Sequence, residues 1–156
     1  MYNRRWFCAG GLALAGCGFT PAYGPAERAP LYGQVLVQAP KNRTEFEFVR
    51  AMETRLGLPP EAPQYRLKYT LQLTQESTIV SAEQEINRFN IRGRLTYTLS
   101  NAQNTSVAQG SIPAFTGYSS SGTTIATESA QKDAQNRLVT ILADQLISRL
   151  IVDVTP

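Results

Sequence analysis

Tyr65-Arg66-Leu67-Lys68-Tyr69-Thr70-Leu71-Gln72-Leu73-Thr74 is the stretch that decides the fold. Tyr65, Leu67, Tyr69, Leu71 and Leu73 alternate with polar side chains, the period of two that rests one strand face on a core and wets the other. A second alternation places Phe89, Ile91, Leu95, Tyr97 and Leu99 on one face and Arg88, Asn90, Arg92, Arg94, Thr96 and Thr98 on the other. Ser100 to Thr105 has turn composition, and Val107 to Phe115 reads as a weaker strand with Pro113 at an edge or an end. Short connections favour antiparallel neighbours, so a meander is expected.

Upstream of this block, Gln34-Val35-Leu36-Val37-Gln38 reads as a short strand between Gly33 and Pro40. Thr44 then offers a helix N-cap, with Glu47 three residues on completing a capping box. Phe48, Met52 and Leu56, with Val49 beside them, fall at helical spacing; Gly57 supplies a left-handed C-terminal cap and Pro59-Pro60 stop the helix. Downstream, Gly117 to Thr124 is a small-residue loop. Ala126, Ala130, Ala134, Leu138, Ile141, Leu142, Leu146 and Leu150 then trace one stripe of a helix over about residues 125 to 151, roughly 40 Å long. The order β-α-β-β-β-α predicts an α+β two-layer sandwich, with an antiparallel (mixed) four-stranded sheet and both helices on its apolar face.

The chain has 156 residues, 42% apolar and 17% charged, a composition that supports one packed domain. There is no histidine, which excludes a His-dependent triad, a His-ligated metal site and an imidazole base within this sequence. No cofactor is expected. The formal charge is +3, but Arg4 and Arg5 lie in the first 16 residues, where no acid occurs. Without them 13 basic groups face 12 acidic ones, so nucleic acid is not an expected partner.

Met1-Tyr2-Asn3-Arg4-Arg5 is a cationic start, and Trp6 to Ala15 is apolar and small. This is signal-peptide architecture, and about ten residues is far short of the roughly 20 that span a bilayer as a helix. The run ends in Leu14-Ala15-Gly16-Cys17, which resembles the lipobox of bacterial lipoproteins. That resemblance implies cleavage before Cys17, with S-diacylglycerol and N-acyl groups on that residue, and so membrane attachment through lipid. It also explains a thiol left unpaired once Cys8 is removed. Residues 1–16 are the expected signal peptide, 17–32 a lipidated N-terminus and tether, and 33–156 the folded domain. Arg4-Arg5-Trp6-Phe7 also looks somewhat like a twin-arginine export signal, so the general secretory and twin-arginine routes both stay open.

Gly18-Phe19-Thr20-Pro21 with Tyr23-Gly24, taken with Cys17 and the element order, resembles the LptE family of lipopolysaccharide-assembly lipoproteins. The specific wording covers about eight residues after the cleavage site, and the remainder agrees in architecture. The resemblance implies a place on the periplasmic face of the outer membrane, in the lumen of an LptD-like β-barrel, assisting lipopolysaccharide assembly without catalysis. An auxiliary lipoprotein of an ABC-type lipid transport system is the alternative reading, and an enzyme the third.

On the polar faces of the two long strands lie Arg66, Lys68, Arg88, Arg92 and Arg94, five cations on one side of a nearly neutral chain. They are candidate contacts for lipopolysaccharide phosphates, which guanidinium groups bind by paired, charge-assisted hydrogen bonds. A solvated face that blunts sheet aggregation and a contact with a barrel wall are the competing readings. Other motifs carry less. Ser119-Ser120-Ser121-Gly122 lacks a neighbouring base, Glu83 and Glu85 lack a second acid pair, and the sequon Asn42-Arg43-Thr44 is better used by Thr44 as a cap.

Overall fold

The computed structural model describes residues 31–59, 61–78, 88–120 and 123–154. The expected signal peptide and most of the expected tether, with Cys17, Glu83, Glu85, Ser121 and Gly122, lie outside them. Six elements follow in the expected order: β1 (Val35–Val37), α1 (Arg43–Leu56), β2 (Tyr65–Thr78), β3 (Arg88–Asn101), β4 (Ser106–Ser119) and α2 (Thr124–Val154). The sheet order is β1-β2-β3-β4. β1 runs parallel to β2, and the other neighbours are antiparallel. This is the α+β sandwich with a mixed sheet that the periodicity predicts.

The inward strand positions are those the alternation assigns. Leu67, Tyr69, Ile91, Leu95, Tyr97 and Leu99 pack with Phe48, Val49, Met52 and Leu56 of α1 and with the α2 seam in a single core. The strands run longer than their apolar alternation, because pairing of β2 with β3 continues from Leu73↔Gly93 to Thr78↔Arg88. Past Leu73 the ladder is made by backbone groups, which leave no hydropathy signature. Pro113 lies within β4, not at its end, and β4 is an outer strand, the setting in which a proline costs least.

Three local expectations are corrected. The N-cap of α1 is Asn42, not Thr44: Asn42 Oδ1 accepts the Glu45 N–H at 2.9 Å. Glu45 reaches back to Asn42 Nδ2 at 3.1 Å and to the Lys41 N–H at 2.8 Å, so the box closes two residues early and Thr44 is already helical. Gly57 has φ 73 but ψ 170, so it leaves the helix extended and not in the left-handed helical cap. A side chain there would run into the Tyr32 ring, which approaches the Cβ position to 2.9 Å. In α2 the seam is Ala134, Leu138, Val139, Leu142, Ala143, Leu146 and Leu150, leaving Ile141 on its shoulder at 37% exposure. Leu31, the first described residue, is fully buried in the same core.

Close approach of α2 to the sheet rests on one small residue. A Cβ on Gly93 would lie 2.9 Å from Leu142 Cδ1 and 3.2 Å from both Leu138 Cδ2 and Leu73 Cδ2. The leucines of α2 therefore sit directly on the β3 backbone, which fixes the helix on the inner face. The helices are joined by the Arg55–Asp144 ion pair. Among the described residues no helix is long and apolar enough to cross a membrane.

Candidate functional site

With both helices on one side, no described element covers the opposite face of the sheet. Strand parity sends Arg66 and Lys68 of β2 and Arg88, Arg92 and Arg94 of β3 to that face, and all five side chains are exposed. They share the face without forming a single cluster. Arg66 is opposite Ser100 and Lys68 opposite Thr98, whereas Arg94 is opposite Gln72 and Arg92 opposite Thr74. Gln72 lies four residue steps along β2 from Lys68, about 13 Å at ~3.3 Å per residue. One cationic pair thus stands near β1, and three arginines stand toward the β2–β3 connection. Thr70, Thr96 and Ser111 form an uncharged row between the two groups.

The arginine end has two further features. Arg92 Nη2 lies 3.1 Å from Glu76 Oε2, with the two side chains 69% and 46% exposed. In so much water the pair is worth under about 1 kcal/mol and leaves the guanidinium available. Across β4, Arg92 faces Phe115 and Arg94 faces Pro113. Phe115 is 77% exposed, so an aromatic ring projects beside the cations. Sequence reasoning missed it because β4 alternates weakly, although its odd position places it on the outer face once the strand is accepted.

The titratable side chains with displaced pKa values lie elsewhere. Burial, with the Glu45 carboxylate beside it, pushes the Tyr69 phenol up to about 12. Its hydroxyl is shut off from solvent without a hydrogen-bond partner, and its ring meets Phe48 at 4.7 Å. Tyr97 is raised by burial and then by Asp153, whose Oδ2 is 3.4 Å from its hydroxyl. Among the described residues no group of three or more metal-ligating side chains surrounds either tyrosine. Ser120 Oγ lies 3.4 Å from Thr127 Oγ1, so this serine borders the start of α2. Asn42 of the sequon is engaged as the α1 cap.

Known proteins agree with this architecture. A putative lipoprotein from Caulobacter crescentus superposes with a TM-score of 0.65 at 20% identity, over 83% of this chain and 96% of that one. The rare lipoprotein B of Shewanella oneidensis gives 0.56 at 7% identity, over 75% and 91%. A minor lipoprotein of Acinetobacter baumannii gives 0.53 at 16% identity, over 80% and 95%. At such identities the likenesses establish the fold alone. No curated protein matches the sequence at a significant level. The family model described as LptE, lipopolysaccharide-assembly, matches residues 32–150, which is the whole sheet and nearly all of both helices, and on that match the chain belongs to the LptE family.

Proposed function

We propose that this chain is a lipid-anchored component of the outer-membrane lipopolysaccharide translocon. It lodges in the lumen of an LptD-type β-barrel, on the periplasmic side, and supports lipopolysaccharide on its way to the outer leaflet. The observation that carries the reading is the family match across the folded domain. The lipobox-like Leu14-Ala15-Gly16-Cys17 supports the anchor: acyl chains on Cys17, each buried methylene worth about 0.8 kcal/mol, hold the protein to the bilayer. Its chemistry is binding, without a covalent step on substrate.

The outer sheet face is the surface we assign to lipopolysaccharide. Arg88, Arg92 and Arg94 offer donors for phosphate, and Phe115 offers an apolar neighbour for the lipid part. Arg66 and Lys68 form a second cationic position on the same face. Replacing Arg92 and Arg94 by Glu in the mature chain tests the assignment. Lipopolysaccharide binding is expected to fall strongly at low salt and to differ less from the parent at high salt, where screening already weakens the contact. Unchanged affinity in a folded variant overturns it.

A further inference from the structure

The two long outer edges of the sheet are not equivalent. In β2 the N–H of Tyr65 bonds to the Gln34 carbonyl and the Leu67 carbonyl accepts from the Gln38 N–H, so odd-numbered backbone groups of β2 face the β1 side. Because β1 ends at Val37, that side of β2 has no backbone partner among the described residues beyond Leu67. Among the described residues, Tyr69, Leu71, Leu73, Gln75 and Ser77 therefore present an open row of donors and acceptors. β4 is guarded. Its odd residues face outward in the same way, and Pro113, which has no N–H, interrupts their donor row midway. Arg137 Nη2 caps the outward Gly117 carbonyl at 3.3 Å. Natural sheets blunt edges with such devices, and among the described residues neither a proline nor a capping arginine guards β2 from Tyr69 to Ser77.

We propose that the open edge of β2 pairs with the same edge of a second copy of this chain, antiparallel about a two-fold axis at Leu73. This register fits Tyr69–Ser77 of one copy against Ser77–Tyr69 of the other and stops where Gln38, at Leu67, would block a longer match. It is self-complementary. On the inner face Leu73 meets its own copy, joining two partly buried leucines, and Leu71 meets the aliphatic stem of Gln75, whose amide is held by Gln131. On the outer face Glu76 stands opposite Thr70 and diagonal to Lys68 of the other copy, within reach of a long ammonium side chain. The axis repeats this charge pair, so each contact counts twice. The inference is independent of the translocon reading, since it concerns the chain apart from any barrel or lipid.

The test uses the full mature chain, purified in detergent and free of other proteins. In the paired register Gln72 of one copy is directly opposite Thr74 of the other at a site without cross-strand hydrogen bonds. There Cα atoms are about 4.5 Å apart, close enough for a disulfide. Both residues are exposed. Gln72→Cys with Thr74→Cys is expected to give, on oxidation, a dimer that reductant dissolves. Gln75→Pro copies onto this edge what Pro113 does on β4 and removes a donor at two symmetric places. It is expected to cut the cross-linked fraction roughly tenfold while the native fold is kept. Should that variant fail to fold, Glu76→Lys, at a half-exposed position, is expected to lower the yield at low salt and regain it at high salt. No dimer from the cysteine pair overturns the proposal. So does a dimer unaffected by both edge variants.

Discussion

Gly93 is where a single methyl group meets the packing of α2 on the sheet. Gly93→Ala places a Cβ 2.9 Å from Leu142 Cδ1, about 1 Å inside ordinary carbon contact, with Leu138 and Leu73 at 3.2 Å on the other sides. Leu138 and Leu142 have no room to withdraw, because both are fully buried in the α2 seam, and only the partly buried Leu73 can give way. Overpacking of this kind costs about 1–3 kcal/mol, offset by roughly 0.5–1 kcal/mol from removing a strand glycine. The net expectation is a loss of about 1–2 kcal/mol, read as a lower urea midpoint at unchanged slope in equilibrium unfolding of the mature chain. Leu142→Ala alone opens a cavity and is expected to cost about 2–5 kcal/mol. Combined, the new Cβ at position 93 gains the space vacated at 142, so the double variant is expected to be more stable than the sum by about 1 kcal/mol. A neutral or stabilising Gly93→Ala, or strict additivity, refutes the packing described here.

Further outcomes follow from single contacts. Asn42→Ala is expected to cost about 1 kcal/mol in the same unfolding assay, whereas Thr44→Ala changes stability little; the reverse ranking contradicts the observed cap. The Tyr69 phenol, raised to about 12 when folded against about 10 unfolded, contributes stability that is complete below about pH 10 and lost as pH climbs toward 12. Unfolding titrations are expected to steepen in that window by up to about 1.4 kcal/mol per pH unit, and Tyr69→Phe to remove that share of the fall. Because its hydroxyl is unpaired, Tyr69→Phe is also expected to leave stability at neutral pH unchanged or raised by up to about 1 kcal/mol. Intact-mass measurement of the native protein is expected to show Cys17 as the first residue with diacylglycerol and acyl groups; an unmodified thiol there removes the anchor.

Periodicity made the layers legible. Alternation in residues 65–74 and 88–99 assigned every inward side chain of β2 and β3 that the core contains, and apolar spacing located both helices. What it could not reach was set by contacts distant in sequence. Asn42 and Thr44 are both cap-forming types with a glutamate three residues on, and only the backward hydrogen bonds of Glu45 decide between them. The basic face was legible by parity, but its division was not. Whether Lys68 lies opposite Arg94 or Thr98 depends on how the β2–β3 connection sets the register. The open side of β2 escaped for the same reason, since a strand's neighbours are a property of the sheet, whereas Phe115 was hidden by the weak alternation of β4.

Affinity isolation from native membranes, with Cys17 intact, tests the central claim most directly. The account predicts an outer-membrane β-barrel recovered in roughly one-to-one ratio, as a plug within a single lumen requires. Recovery of inner-membrane transporter components without any barrel contradicts it.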